Sequence, residues 1–249
     1  MLQNHPEKDS RTVNDLSHTT YLRQRDRIEH YFDRTAAQTW ARLTSDAPVS
    51  GVRATVRAGR DRMRATILSW LPDDLQGCRL LDAGCGTGAL AVEAARRGAD
   101  VVAIDLSPTL VELARQRLPA DLGPGSITFL SGDMLDAGLG AFDHVVAMDS
   151  LIHYQCGDVV AALSRCADRT RGSMIFTFAP KTAVLAAMIT VGKLFPRRDR
   201  APFIAPVAEQ HLRRLISSAP ALSGFSTGRS LRVSSGFYTS QAFELARRS

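Results

Sequence analysis

Leu80-Leu81-Asp82-Ala83-Gly84-Cys85-Gly86-Thr87-Gly88 is the most informative segment of the chain. A short apolar run ends on a carboxylate and enters a loop with glycine at every second position. The helix-forming segment Ala89–Arg97 follows at once. Strand, glycine turn and helix in that order open a nucleotide-type binding unit, because a backbone without Cβ atoms turns tightly and lets a ligand approach. The Gly-x-Gly-x-Gly spacing differs from the dinucleotide fingerprint, and it lacks the lysine of a phosphate loop.

Working outward, short apolar runs alternate with helical stretches. Strands are predicted at Arg79–Ala83, Val101–Asp105, Ile127–Leu130, His144–Met148 and Ser173–Phe178, with helices at Ala89–Arg97, Thr109–Arg117 and Asp158–Ala167. Continuous apolar strands joined by helical crossovers imply a parallel sheet covered on both faces, a doubly wound α/β fold. Beyond Phe178 an apolar helix is predicted at Lys181–Leu194, then Pro196 and a basic run, then a helix at Ala208–Ser217. Strands at Phe225–Val233 and Gly236–Ala242, joined through Val233-Ser234-Ser235-Gly236, predict an antiparallel hairpin.

Upstream, a charged helix from Tyr21 to Trp40 places Ile28, Tyr31, Phe32 and Trp40 at its apolar positions. A second, Val52–Trp70, carries Val52, Val56, Met63, Ile67 and Trp70 on one stripe before Leu71-Pro72. The expected organisation is an N-terminal arm and helical cap over 1–70 and a core over 71–249, with a substrate-side insertion at about 179–207.

Four carboxylates close successive strands. Asp82 suits a ligand bearing an ammonium and a sulfonium cation. Asp105, followed by Leu106, can accept from two ribose hydroxyls. Asp133 in Gly132-Asp133-Met134 can accept from an adenine amino group while Met134 packs on the ring. Asp149 precedes Leu151-Ile152-His153-Tyr154. Ligands of open α/β sheets bind at these carboxyl ends.

Together these positions resemble the class I S-adenosylmethionine-dependent methyltransferase family across Arg79–Phe178. The resemblance implies a Rossmann-like fold and a methyl donor held by Asp82, Gly84, Cys85, Gly86, Gly88, Asp105, Leu106, Asp133, Met134 and Asp149.

Absences narrow the acceptor. Met148–Tyr154 holds no Asn/Asp-Pro-Pro-Tyr/Phe motif of amino methylation, no cysteine follows a proline, and no acidic cluster follows Asp149. The net charge of +6 allows an anionic partner, but no appended domain or interleaved aromatics suggest a nucleic acid. Cys78, Cys85, Cys156 and Cys166 form no metal spacing, and no metal site is expected. No signal-peptide core and no run of roughly 20 apolar residues occurs, so a cytoplasmic protein is expected.

Beyond the core, Tyr31-Phe32-Asp33 with Trp40, Arg57-x-Gly59-Arg60-x-x-Met63-Arg64, Leu151–Tyr154, Phe176–Thr182 and Gly192–Pro196 resemble the magnesium-protoporphyrin IX methyltransferase family, over about Tyr31 to Ala246. That implies methyl transfer to one propionate of a magnesium porphyrin in chlorophyll or bacteriochlorophyll synthesis, with magnesium present only inside the substrate. It also implies a magnesium chelatase subunit as a partner.

Tyr31 and His153 are candidates to orient the carboxylate, although His153 as base or magnesium ligand stays open. Trp40, Arg57, Arg60, Tyr154, Lys181 and Arg197 are candidates for the macrocycle and its anionic groups. The alternatives are a related enzyme acting on a quinone, phenol or polyketide, and a non-catalytic porphyrin carrier. Lys181–Leu194 reads equally as slot wall or packing helix, and with its basic flank it could lie peripherally on an inner or photosynthetic membrane.

Overall fold

In the computed structural model, residues 20–36, 44, 51–182 and 204–248 are described, the side chains of 34–36 excepted. Helix α1 covers 20–30 and passes into a π-turn at Tyr31–Ala36. Then follow α2 (Gly51–Leu68), β1 (Arg79–Ala83), α3 (Ala89–Arg96), β2 (Asp100–Asp105), α4 (Pro108–Gln116), β3 (Ser126–Ser131) and β4 (Phe142–Ala147). The chain continues as α5 (Cys156–Ala167), β5 (Thr170–Phe178), α6 (Glu209–Ser218), β6 (Phe225–Ser235) and β7 (Tyr238–Arg247). The predicted helix at Lys181–Leu194 and the basic run after Pro196 lie largely outside the described residues, as does Trp40.

The seven strands stand in the order β3-β2-β1-β4-β5-β7-β6. β1 to β5 are mutually parallel, and β7 pairs antiparallel with both β5 and β6. The expected doubly wound sheet with a C-terminal hairpin is what the chain forms. After β3 the chain returns to the far side of β1 to lay down β4. This reversal opens a crevice at the carboxyl ends of β1 and β4, the place where such sheets bind ligands.

Alternation along each strand explains the unbroken apolar runs. Leu81, Val102, Val145 and Phe176 point to one layer, packed with Val159 and Leu163 of α5 and Leu212 of α6. Leu80, Val101, Val146 and Ile175 point to the other, packed with Met63 and Ile67 of α2 and Ala91 and Ala94 of α3. Successive side chains face opposite sides, so a strand covered twice is apolar at every position.

Several boundaries differ from expectation, and β7 runs on to Arg247 where the strand was expected to end at Ala242. β4 begins at Phe142, fully buried, and β5 at Thr170; the two pair across a register shift beside Asp143. The charged Asp143 and Arg171, with Gly172, disguise these strand starts. The hairpin turns at Gly236-Phe237, with Ser235 paired to Tyr238, because the serines before it belong to an exposed edge strand rather than to a loop. Met148 leaves β4, and Asp149 adopts φ 56°.

Candidate active site

The glycine loop after β1 runs through left-handed backbone, with φ of +83° at Gly84, +54° at Gly86 and +78° at Gly88. The amides of Gly84 and Cys85 both donate to the Ile104 carbonyl, at 2.8 and 3.0 Å, which ties the loop to β2. A Cβ on Gly84 would stand 2.3 Å from the Cβ of Ser150. Here the loop after β1 touches the loop after β4, so a side chain would wedge the crevice apart.

Asp105, at the end of β2, accepts from the Gly86 amide at 2.8 Å through one oxygen and from the Ser107 amide at 2.9 Å through the other. Burial raises its pKa, and the amides of Ser107, Gly86 and Leu106 oppose that rise. Each carboxylate oxygen keeps a further lone pair, the capacity that two ribose hydroxyls need. Asp82 lies beneath the loop, 2% exposed, with the Ala91 amide as a hydrogen-bond donor. Its Oδ2 has no hydrogen-bond partner among the described residues. Burial, with Asp105 nearby, pushes its pKa up to about 7.

A cleft open to solvent extends from this loop. Gly84, Gly86, Asp105, Leu106 and Met134 line its first part. Met148, Asp149, Ser150, His153 and Tyr154 line the second, and α1 with the π-turn closes it through Tyr21, Ile28 and Phe32. An orphaned buried carboxylate oxygen, a glycine cradle and a two-oxygen acceptor fit an adenosine-type ligand with a cationic tail.

Asp149 is held on every side. Its carboxylate accepts from Arg60 at 2.8 Å, from the Tyr238 hydroxyl at 3.1 Å, from Ser240 at 3.0 Å and from Thr177 at 3.2 Å. The Thr177 hydroxyl also accepts the Asp149 amide at 2.7 Å. Positive φ is unfavourable for a residue with a Cβ, though Asp tolerates it better than most, and this set of bonds holds it there. Gly59 makes room for the arrangement, since a Cβ on it would lie 2.5 Å from the Tyr238 ring. Arg60, expected on the acceptor, therefore both lines the cavity and grips Asp149.

The aromatic side is built by α1. Tyr21 stacks on Tyr154, with centroids 4.9 Å apart, and donates to Asp133 at 2.9 Å. Burial raises the pKa of both tyrosines well above the ordinary phenol value, so they remain protonated donors. Asp133 also accepts from the Leu135 amide at 2.8 Å and from Arg25 at 3.4 Å. His153, buried in a single 3-10 turn, faces the cavity with the Phe32 ring 5.9 Å away, and Tyr31 meets Phe32 edge-on at 5.2 Å.

The structure thus brings Gly84, Gly86, Asp105, Leu106, Met134, Asp149, His153, Tyr154 and Arg60 to one cavity. Asp82, Cys85, Gly88, Asp133 and Tyr31 stand around it without lining it. Burial holds the Cys85 thiol well above its usual pKa. Arg57 is half-buried one turn before Arg60, and Lys181 is exposed; neither lines the cavity. Trp40 and Arg197 lie outside the described residues. Sequence reading missed Tyr21, Ser150 and the grip of Tyr238, Ser240 and Thr177. Tyr21 alone had a signal, its seven-residue spacing from Ile28 on one helical face.

Residues 80–172 match a methyltransferase-domain family, and residues 147–247 match the family described as magnesium-protoporphyrin IX methyltransferase C-terminus. A magnesium-protoporphyrin O-methyltransferase of Rhodobacter capsulatus is 53% identical over 225 residues, covering 90% of this chain and 97% of that protein. The Synechocystis protein of the same description is 32% identical, over 88% of this chain and 95% of its own length. A crystal structure of the Synechocystis magnesium protoporphyrin IX methyltransferase with bound S-adenosylhomocysteine superposes with a TM-score of 0.77. It is 31% identical and covers 89% of this chain and 98% of that one. With a relative matched at this identity along nearly its whole length, the chain belongs to the magnesium-protoporphyrin O-methyltransferase family.

Proposed function

We propose that this chain transfers a methyl group from S-adenosylmethionine to one propionate carboxylate of magnesium protoporphyrin IX, giving the monomethyl ester of chlorophyll or bacteriochlorophyll synthesis. One observation carries the reading. The cavity runs without a break from the Asp105 cradle to His153, in a chain matched nearly end to end by a relative of that name.

S-adenosylmethionine, when bound, supplies a methyl group on a positively charged sulfur. Asp105 would hold the ribose, Leu106 and Met134 would pack on the adenine, and Gly84 to Gly88 with Asp82 would receive the cationic tail. Asp133, at the rim, is the candidate for the adenine amino group, in exchange with Tyr21. A propionate has a pKa of about 4.3 and is ionised at neutral pH, so the acceptor needs no strong general base. Alignment and exclusion of water are then the main tasks. Tyr31 and His153 would orient the carboxylate, while Phe32, Tyr21 and Tyr154 shield it.

In this reading Asp149, saturated by its own donors, acts by fixing Ser150 to His153 rather than by touching the methyl donor. Arg57, Lys181, Trp40 and Arg197 would meet the outer part of the macrocycle and its second propionate. No described helix is long and apolar enough to cross a membrane. A peripheral contact with the inner or photosynthetic membrane and delivery of substrate by a magnesium chelatase subunit accompany the proposal, as does the division into a cap over 1–70 and a core.

Labelled methyl donor with magnesium protoporphyrin should yield labelled ester, with metal-free protoporphyrin as the control acceptor. Tyr31→Phe and His153→Ala should each cut turnover by about tenfold or more and leave cofactor affinity nearly unchanged. Absence of ester would remove the acceptor; full turnover in both variants would remove the two roles.

A further inference from the structure

We infer that Asp33 is a positioning residue, pinning the Tyr31-Phe32 segment to the start of α4 and so tying the acceptor side of the cavity to its cofactor side. One oxygen of its carboxylate accepts from the Thr109 hydroxyl at 2.7 Å and from the Thr109 amide and the Ser107 hydroxyl at 3.3 Å each. These partners are 74 to 76 residues away in sequence. α4 does not need this carboxylate for its own start. Ser107 already caps it by accepting the Leu110 amide at 3.2 Å, and Pro108 occupies the first turn. A second, distant acceptor at a helix that is already capped informs the segment that carries it.

That segment is the π-turn Tyr31–Ala36. Such turns are rare and need support from surrounding contacts. Phe32 lines the cavity, lies against His153 and meets Tyr31 edge-on. On the other side of the latch, the Ser107 amide donates to Asp105, and Asp105 in turn accepts the Gly86 amide of the glycine loop. A line of hydrogen bonds thus runs from the loop through Asp105 and Ser107 to Asp33, whose backbone carries the neighbouring Phe32 against His153. Removing Asp33 frees the turn at its cofactor-side anchor and leaves the cradle of Asp105 intact.

The inference rests on the roles given to Tyr31 and His153. Asp33→Ala should lower kcat by about tenfold to a hundredfold, the usual cost of a misplacement near 1 Å. The Kd for S-adenosylmethionine, measured by calorimetry, should stay within about threefold. Asp33→Asn keeps an acceptor oxygen and should recover most of kcat. Thr109→Val should reproduce part of the loss, and the double variant should be no worse than Asp33→Ala, because both remove one contact.

Amide hydrogen exchange over residues 28–36, in the protein without cofactor, should accelerate in Asp33→Ala and remain near wild type in Asp33→Asn. Wild-type exchange in Asp33→Ala, multiplying losses in the double variant, or no rescue by Asn would overturn the inference. If the wild type makes no ester with magnesium protoporphyrin, the acceptor reading fails, while exchange over 28–36 still decides the latch.

Discussion

Replacing Asp82 by Asn removes a carboxylate that sits 2% exposed with one oxygen lacking a partner, and the consequence for stability depends on pH in a calculable way. In the fold its pKa stands at about 7, against 3.8 for the free group, chiefly because burial disfavours the charge. The folded protein therefore binds a proton more tightly than the unfolded chain. The stability gained from that proton is complete below about pH 4, falls as pH rises and is gone above about pH 7.

Between pH 5 and pH 8 the wild type should lose about 3 kcal/mol through this one group, two pH units at about 1.4 kcal/mol each. Asn has no such dependence. Its amide leaves a buried polar atom poorly satisfied, a fixed cost of about 1–3 kcal/mol at every pH. Asp82→Asn should thus gain about 3 kcal/mol on wild type between pH 5 and pH 8 and should exceed it at pH 8. Urea unfolding of the cofactor-free proteins at pH 5, 6, 7 and 8 measures the difference directly. A gap between the two proteins that is the same at pH 5 and pH 8 would mean that folding does not raise the Asp82 pKa. The function of the charge shows in a second arm: saturating S-adenosylmethionine should raise the unfolding midpoint of the wild type more than that of Asp82→Asn at pH 8.

Gly84→Ala places a Cβ 2.3 Å from that of Ser150 at φ +83°; calorimetry should show cofactor affinity reduced by tenfold or more, and wild-type binding would contradict the close approach. Asp149→Ala strips the acceptor from Arg60, Tyr238 and Ser240, and urea unfolding should show a loss of about 3 kcal/mol. Asp149→Asn, which tolerates positive φ and keeps an oxygen acceptor, should cost less than half of that.

Much of the proposed cofactor side was legible along the chain. The glycine loop, the strand ends and the carboxylates Asp82 and Asp105 are consequences of local chemistry: alternation of apolar residues, the turn that glycine permits, and the carboxyl-end rule of parallel sheets. Even there, sequence could not say that Asp82 lies beneath the loop while Asp105 faces the cavity, because both close a strand in the same way. The acceptor side was read from resemblance, and its details were not legible. Asp149 looked like one more ligand carboxylate. Its Arg60 and Tyr238 partners are each 89 residues away, on a helix and a hairpin whose approach leaves no periodic trace.

The doubly wound sheet and its switch point follow from patterns of neighbouring residues, and the methyl donor follows from the family resemblance that the strand-end carboxylates and the glycine loop carry. Packing alone brings Tyr21 of α1 and Phe32 of the π-turn to the cavity wall, Asp33 to Thr109, and Arg60, Tyr238 and Ser240 to Asp149. Those assignments depend on which lone pairs and faces remain after distant elements pack, and packing is settled by the whole core at once.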